Sequence, residues 1–392
     1  MNIAFFSLED FNPHTGGTER ISCVLAEEFI KNGHSVFFIS PKAFTYKLPS
    51  IEYFKLNEKV DTKQNVRSFA YFIEKNHIDI VVNQHAYSEA AISLIEKVRL
   101  KSLAKFVNAL HSTPDLFLKD LPDTVYSPFP SCRTPLRLWR RYQRVKFRSV
   151  KLKNRAKKSR YLFRKAYEGS DCILLLSDMF KPVFQSLAGI ADTSKLFAIN
   201  NANTYSSSEI EISMPKENVL LFVGRMAVEK RIDIILHIWS RLQDLYPSWR
   251  LEIVGGGGLF DDVKYLVKKM KLQRVSMHGR QTPNAYYAKS KIILATSKFE
   301  GWGLNLTEAM QHGCVPVAFS SYAALNDIVE GGKSGIAIED NNVEEFVRRL
   351  SELMADESRL LLLSENAKES VKRFDMSKII IQWENLFNEL VK

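Results

Sequence analysis

Residues 292–318, IILATSKFEGWGLNLTEAMQHGCVPVA, contain the arrangement that decides the fold. An apolar, β-rich run stands at each end, at 292–295 and 315–318, and a helix is predicted to begin near Leu304. A strand, a helix and a second strand in this order indicate two parallel strands joined by a crossover helix. The stretch therefore predicts an α/β protein with a parallel sheet.

The same alternation extends through both halves of the chain. Further apolar, β-rich runs occur at 2–7, 35–39, 78–82, 106–110, 172–176, 196–199, 219–223, 251–254, 275–278 and 335–338. Residues 204–209 are polar and have no core pattern, and Met214-Pro215 follows them, which marks a linker at 204–217. Because 392 residues with 45% apolar content exceed what one core usually serves, we predict two α/β domains, at 1–203 and 218–375.

The positive charge is concentrated in one segment. The chain has a net charge of +11, yet residues 133–165 contain 15 Lys or Arg and no Asp or Glu, so the rest of the chain is net negative. Leu136, Trp139 and Tyr142 alternate with these cations. The pattern predicts a basic amphipathic helix within the N-terminal domain.

Three interpretations of this segment remain open. It forms a solvated helical face, or it lies on anionic lipid with Trp139 and Phe147 in the interface, or it binds nucleic acid. We disfavour nucleic acid as a partner because no nucleic-acid-binding motif surrounds the segment. The predicted contacts to a membrane or to the acceptor are Trp139, Arg140, Arg141, Arg144, Lys146 and Arg148.

Two cations follow the strand predicted at 219–223. Gly224 and Arg225 come directly after it, and Lys230 lies five residues further on. Two fixed positive charges suit a diphosphate, because they neutralise the charge that develops when a nucleoside diphosphate leaves. The alternative is a pair of exposed basic residues without a function.

The glycine-rich loop in the quoted stretch has the features of an anion site. Gly301 and Gly303 allow the backbone to approach a ligand, and the helix starting near Leu304 and Asn305 directs unpaired N–H groups toward an anion. Two carboxylates accompany this loop. Glu308, expected in the first helical turn, suits ribose hydroxyls or the helix dipole, and Glu300 suits sugar hydroxyls or an oxocarbenium-like centre.

Together these residues resemble the donor site of retaining glycosyltransferases of family 4. The resemblance rests on Gly224-Arg225 with Lys230, on EGWGLNLTEAM, on HGCVPV at 312–317 and on IVEGGKSG at 328–335. Asn305 departs from it by replacing a proline that is common in the family. The resemblance implies the GT-B fold, in which two Rossmann-like domains face each other across a cleft. It also implies that the C-terminal domain binds the donor and that a helix at 376–392 crosses back to the N-terminal, acceptor-side domain.

The family resemblance implies retaining transfer of a sugar from a nucleotide donor to an acceptor hydroxyl. Gly16-Gly17 resembles the family's glycine loop, and His111 resembles the histidine that lies near the donor sugar. The predicted catalytic residues are His111, Arg225, Lys230 and Glu300. The predicted donor-binding residues are Gly16, Gly17, Gly224, Arg225, Lys230, Gly301, Gly303, Leu304, Asn305 and Glu308.

We expect a UDP- or GDP-linked sugar as substrate, no cofactor and no metal, since the sequence contains no Asp-x-Asp tripeptide. The expected acceptor is a membrane-associated glycan or lipid-linked saccharide in the assembly of lipopolysaccharide, O-antigen or capsule. Without a signal-peptide pattern, the chain is expected in the cytoplasm, peripheral at the inner face of the membrane. Two alternatives stay open: a nucleotide-sugar epimerase of similar two-domain fold, and a catalytically idle, membrane-associated nucleotide-binding scaffold.

Overall fold

Parallel strands form two sheets in the computed structural model, which describes residues 1–210 and 215–392. Each sheet belongs to its own unit. Unit 1 consists of Met1–Phe117, Asn154–Thr204 and Phe374–Lys392, and unit 2 consists of Leu118–Lys153 and Tyr205–Arg373. Residues 211–214 of the predicted linker at 204–217 lie outside the described residues.

Unit 1 is organised by a parallel sheet. Its strands are β1 (Asn2–Phe6), β2 (Ser35–Ser40), β3 (Ile51–Lys55), β4 (Ile80–Asn83), β5 (Lys105–Ala109), β6 (Cys172–Leu175) and β7 (Leu196–Ala198). They lie in the order β3-β2-β1-β4-β5-β6-β7. The structure confirms the six predicted runs. It adds β3, an edge strand that was not predicted. Only Ile51 of this strand is buried, and its sequence contains no continuous apolar run.

Unit 2 repeats this architecture. Its strands are β8 (Glu217–Val223), β9 (Arg250–Val254), β10 (Val275–Met277), β11 (Ser290–Ala295), β12 (Val315–Phe319) and β13 (Ile336–Ile338). They are parallel, in the order β10-β9-β8-β11-β12-β13. All the predicted runs of the second half are strands.

Helices connect the strands. They are α1 (Gly17–Lys31), α2 (Lys63–Lys75), α3 (Glu89–Arg99), α4 (Leu116–Lys119), α5 (Pro135–Lys146), α6 (Arg148–Glu168), α7 (Lys181–Ala188), α8 (Ser207–Ile210), α9 (Ile232–Leu242), α10 (Phe260–Lys269), α11 (Asn284–Lys289), α12 (Leu304–Gln311), α13 (Leu325–Ile328), α14 (Val343–Ala355), α15 (Glu357–Val371) and α16 (Met376–Val391). Side chains of β1 alternate between two cores. Ile3 and Phe5 pack with α1 and α16, while Ala4 and Phe6 pack with α2 and α3. Helices therefore cover both faces of this sheet.

The last helix belongs to unit 1. Ile379, Trp383 and Phe387 of α16 are buried in the core that α1 also contributes to. The ring of Phe387 stacks on Phe29 of α1, with 5.6 Å between ring centroids. The chain thus ends in unit 1 after passing through unit 2.

The basic segment differs from its prediction in two ways. It forms two helices, α5 and α6, because the helix ends at Phe147 and restarts at Arg148. Residues 118–153, which we call the strap, belong to unit 2 and not to the N-terminal domain. Two contacts hold the strap there: Phe129 is buried in the unit 2 core, and the backbone N–H of Ser131 donates to Asp262 Oδ1 over 2.8 Å. Across residues 1–210 and 215–392, no helix is both long and apolar enough to cross a bilayer.

Candidate functional site

The turn after β8 is built on close backbone contacts. The N–H of Met226 donates to the carbonyl of Gly256 over 2.8 Å, within the four-glycine loop that follows β9. A Cβ at Gly255 would lie 1.9 Å from the carbonyl oxygen of Gly224, and one at Gly257 would lie 2.6 Å from that of Met226. The glycine loop therefore packs directly against the Gly224–Met226 backbone. This close contact leaves no space for side chains at Gly255 and Gly257.

Lys230 and Glu300 meet at the carboxyl edge of the unit 2 sheet. β8 and β11 are neighbouring parallel strands, so the turn after β8 and the loop after β11 emerge side by side. Lys230 Nζ forms an ion pair with Glu300 Oε1, and each side chain is only 18% exposed. The predicted diphosphate-binding cation and the predicted sugar-binding carboxylate are therefore one charge pair.

Arg225 is more exposed than its neighbour. Its side chain is 71% exposed, and its Nη2 lies 2.6 Å from Oε1 of Glu229, four residues further along the chain. An exposed pair of this kind contributes little to stability, so the guanidinium can turn toward a ligand at small cost. Lys230 is fixed in place, whereas Arg225 is free to reorient.

The start of α12 is fixed by its sequence. Gly303 has a φ of 104°, and a Cβ there would lie 2.8 Å from Tyr322 Oη, so both conformation and space require glycine. Asn305 Nδ2 donates to the carbonyl of Val223, the last residue of β8, over 2.9 Å. Asn305, which replaces the family's proline, thus connects the start of α12 to the end of β8 through this hydrogen bond. Leu304 is the first helical residue, as predicted.

Glu308 lies one turn further along than predicted. It is the fifth residue of α12, so the helix dipole does not account for it. The carboxylate is 2% exposed, and Tyr287 Oη donates to its Oε2 over 2.9 Å. Burial of this acid next to a buried tyrosine hydroxyl fixes its direction.

Unit 1 holds the remaining predicted residues. Gly16 is the residue before α1, and a Cβ there would lie 2.3 Å from Glu19 Oε2. Burial raises the pKa of Glu19, and backbone hydrogen bonding opposes that rise. The Gly16–Gly17 turn therefore has a carboxylate beside it, and an anion could bind there only if this carboxylate moved away or took up a proton from solvent.

His111 follows β5, and Gln84 follows the neighbouring strand β4. His111 Nε2 contacts Gln84 Oε1. Burial, followed by the charge of nearby His85, lowers the pKa of His111 to about 3. The imidazole is therefore neutral at neutral pH, and it acts as a hydrogen-bonding group, not as a cation.

Within unit 2 the structure brings together Lys230, Glu300 and the Gly303 turn at the ends of β8 and β11. Gly16, Gly17 and His111 belong to the other unit. Three residues escaped sequence analysis: Gln84, Tyr287 and Tyr322. Each is recognised only through a partner more than 15 residues away in the chain. In the part of the chain that the structure describes, no cluster of His, Cys, Asp or Glu is placed to hold a metal ion.

The predicted contact residues of the strap fall into two groups. Arg141 donates to the carbonyl of Thr124 over 2.8 Å, and Arg148 pairs with Asp123 at 2.7 Å, so both hold the strap together. The others are exposed: Trp139, Arg140, Arg144 and Lys146. Only these four are therefore available to a ligand or surface as they stand.

Comparison with known proteins gives matches to part or to most of the chain. Residues 207–370 match the family model of glycosyl transferases group 1. An uncharacterized glycosyltransferase of Haemophilus influenzae is 26% identical over 373 residues, which cover 95% of this chain and 96% of that protein. In Campylobacter jejuni, the GalNAc-alpha-(1->4)-GalNAc-alpha-(1->3)-diNAcBac-PP-undecaprenol alpha-1,4-N-acetyl-D-galactosaminyltransferase is 26% identical over 233 residues, 59% of this chain and 64% of that protein.

Among solved structures, Anabaena Alr3699/HepE in complex with UDP and glucose superposes with a TM-score of 0.73 at 17% identity. The superposition covers 99% of this chain and 100% of that one. At this identity the likeness concerns the fold. The chain therefore has the GT-B fold, and its residues 207–370 are similar to the glycosyl transferases group 1 family.

Proposed function

We propose that the chain is a retaining, hexosyl-type glycosyltransferase of family 4. In this proposal it moves a sugar from a UDP- or GDP-linked donor to a membrane-associated glycan or lipid-linked acceptor during the assembly of cell-surface polysaccharide. The Lys230–Glu300 pair carries the proposal, because it sets a nearly buried cation and carboxylate beside the N-terminus of α12. The names of the relatives support it: one acts on an undecaprenol-linked saccharide.

The proposed donor site follows from these charges. The diphosphate lies against the N-terminus of α12 and Lys230, and Arg225 turns from Glu229 to a phosphate oxygen. When Lys230 binds phosphate, Glu300 is released from it and accepts hydrogen bonds from sugar hydroxyls. Glu308, directed by Tyr287, receives the ribose hydroxyls.

The proposed reaction keeps the nucleophile and the leaving group on one face of the sugar. The bond from the anomeric carbon to the phosphate oxygen breaks, and the acceptor oxygen forms its bond on the same face. The departing phosphate takes the acceptor proton. Lys230 and Arg225 stabilise the negative charge on that phosphate, which is the role a metal ion has in other transferases.

We also propose peripheral contact with an anionic membrane at the inner face. The strap supports it with exposed apolar side chains, Trp139 at 59% and Phe147 at 45%, next to Lys146. We expect co-sedimentation with phosphatidylglycerol vesicles at low salt, lost in Trp139→Ser/Phe147→Ser. Equal binding to neutral phosphatidylcholine vesicles would remove the charge-based part of the proposal.

Turnover separates this proposal from its rivals. The labelled sugar of the donor is expected to move to lipid-linked glycans extracted from bacterial membranes, only when the extract is present, with the anomeric configuration kept. Conversion of the donor to another nucleotide sugar without acceptor would indicate an epimerase. Donor binding without any turnover would indicate an idle scaffold, and an inverted product would exclude retention.

A further inference from the structure

A cavity of about 1340 Å³ lies within unit 2, between the strap and the loops after β8 and β11. Glu229, Arg231 and Phe299 line it, and these residues flank Lys230 and Glu300 in the sequence. The cavity therefore adjoins the proposed donor residues inside the same unit. Its volume exceeds the range of about 300–1000 Å³ that suits a single small molecule, so it has room for several sugar rings.

One wall of the cavity is a cationic face of α5. Arg137, Arg140 and Arg144 line it at positions i, i+3 and i+7 of the helix, and Lys151 of α6 lines it too. Arg137 donates to the carbonyl of Ser131 over 2.8 Å. Arg140, Arg144 and Lys151 have no hydrogen-bond or ion-pair partner anywhere in residues 1–210 and 215–392. Three positive charges on this wall are thus uncompensated.

The other cations of the cavity already have partners. Lys298 Nζ lies 2.6 Å from Asp123 Oδ2, and Arg231 Nη2 lies 2.5 Å from Asp340 Oδ1. The Lys298 pair joins the strap to the loop after β11, so it holds the cavity together. Trp139 and Phe299 add apolar ring surfaces to the same cavity. The lining thus combines free cations with aromatic faces, which suit phosphate and sugar rings respectively. It also contains the carboxylates of Asp120, Asp123, Glu229 and Asp233, of which Asp123 and Glu229 already pair with cations.

We propose that this cavity binds the acceptor through the phosphate or pyrophosphate that joins its glycan to its carrier. The proposal rests on the proposed transferase function and names the acceptor class. Two to three negative charges of a pyrophosphate match Arg140, Arg144 and Lys151, and the saccharide lies toward Phe299. The acceptor is therefore held by the strap on the donor-binding unit.

The test compares two triple variants. The cavity variant is Arg140→Gln/Arg144→Gln/Lys151→Gln. The control is Lys153→Gln/Lys157→Gln/Lys158→Gln, which removes three cations from the same basic segment, none of which lines the cavity. Both variants are made in an Arg225→Ala/Lys230→Ala background, so that the probe does not bind the proposed donor residues. Thermal unfolding confirms that each variant is folded.

The probe is a short-chain prenyl pyrophosphate carrying one N-acetylglucosamine, and binding is measured by calorimetry. The Arg225→Ala/Lys230→Ala protein, which is the parent, and the control are expected to bind the probe with equal affinity. The cavity variant is expected to bind it at least about tenfold more weakly, which corresponds to the loss of one strong charge-assisted contact. N-acetylglucosamine without the pyrophosphate is expected not to bind.

Three outcomes would overturn the proposal: no binding by the parent, equal weakening in both variants, or no weakening in the cavity variant. Phosphatidylglycerol vesicles form a separate arm of the test. If the cavity variant loses vesicle binding while keeping the probe, the free cations serve the lipid surface and the acceptor assignment is wrong. The donor site is tested separately by nucleotide-sugar binding, so failure of either proposal is recognised by itself.

Discussion

Lys230 and Glu300 form an ion pair that joins the turn after β8 to the loop after β11. The two residues are 70 positions apart in the chain, yet they follow neighbouring parallel strands. Each neutralises the charge of the other. Donor binding in our proposal exchanges this pair for a phosphate on Lys230 and sugar hydroxyls on Glu300.

Substitution of Glu300 is expected to affect turnover more than donor affinity. Glu300→Gln releases Lys230 for the diphosphate and can still hydrogen-bond sugar hydroxyls, so the donor Kd should change less than about threefold. The value of kcat should fall roughly 10²-fold, because the negative charge beside the oxocarbenium-like centre is lost. Lys230→Met should instead weaken donor binding by at least about tenfold. Calorimetry and initial rates give the two quantities. Equal effects of Glu300→Gln on Kd and kcat/KM, with kcat unchanged, would contradict the assigned role.

The effects of Gly303→Ala and Tyr322→Phe on the free energy of unfolding should depend on each other. Gly303→Ala is expected to lower the free energy of unfolding by roughly 1–3 kcal/mol, because φ is 104° and the new Cβ would meet Tyr322 Oη at 2.8 Å. Tyr322→Phe removes a buried hydroxyl that has no hydrogen-bond partner in the described part of the chain, so by itself it should be neutral or slightly stabilising.

In the double variant, the loss of the tyrosine hydroxyl should restore about 1 kcal/mol of the unfolding free energy that Gly303→Ala removes. The remaining loss is the part due to the positive φ. Urea unfolding of the four proteins measures this coupling. Strict additivity would show that the hydroxyl does not limit the space at Gly303.

The sequence predicted the strands of the two sheets more completely than the position of the strap. Buried parallel strands are continuous apolar runs, and twelve of these were recognised within what the structure now describes. β3 was missed because Glu52 and Lys55 interrupt its apolar residues, so that the strand has no continuous apolar run. The strap's helical pattern was recognisable, but its place in unit 2 depends on the burial of Phe129 in the unit 2 core and on the Ser131–Asp262 bond, whose partners are 131 residues apart.

The site shows the same division. Lys230, Glu300 and Glu308 stand in motifs and were predicted, whereas the partners that orient them were not. Tyr287 lies 21 residues from Glu308, in a helix without any motif of its own. Spacing along the chain carries no information about such contacts, because the sheet order decides them.

The pH dependence of stability should report on His111. Burial lowers its pKa to about 3 in the folded state, whereas an unfolded histidine titrates near about 6.5. Below that value the unfolded chain binds a proton that the folded chain does not, so stability is fully present above about pH 6.5 and is lost as the pH falls.

His111→Asn should therefore reduce the loss of unfolding free energy between about pH 7 and pH 5 by roughly 1–2 kcal/mol. Exposed His237→Asn is the matched control and should leave that loss unchanged. Urea unfolding at both pH values gives the difference. An equal effect of both variants would show that His111 is not held neutral.

Activity should not depend on a divalent metal ion. In our proposal Lys230 and Arg225 stabilise the leaving diphosphate, so turnover in excess EDTA should stay within about twofold of the untreated rate. A metal-dependent glycosyltransferase in the same buffer shows that chelation is complete. Loss of activity with EDTA and its recovery with Mg²⁺ or Mn²⁺ would contradict this assignment.

The central claim is that unit 2 binds a nucleotide sugar through Arg225 and Lys230. Its most direct test is calorimetric binding of UDP-, GDP- and ADP-sugars without metal, to the wild type and to Arg225→Ala/Lys230→Ala. We expect selective binding of a UDP- or GDP-sugar by the wild type, weakened about 100-fold or more in the folded double variant. No binding by the folded wild type, or equal binding by both proteins, would contradict it.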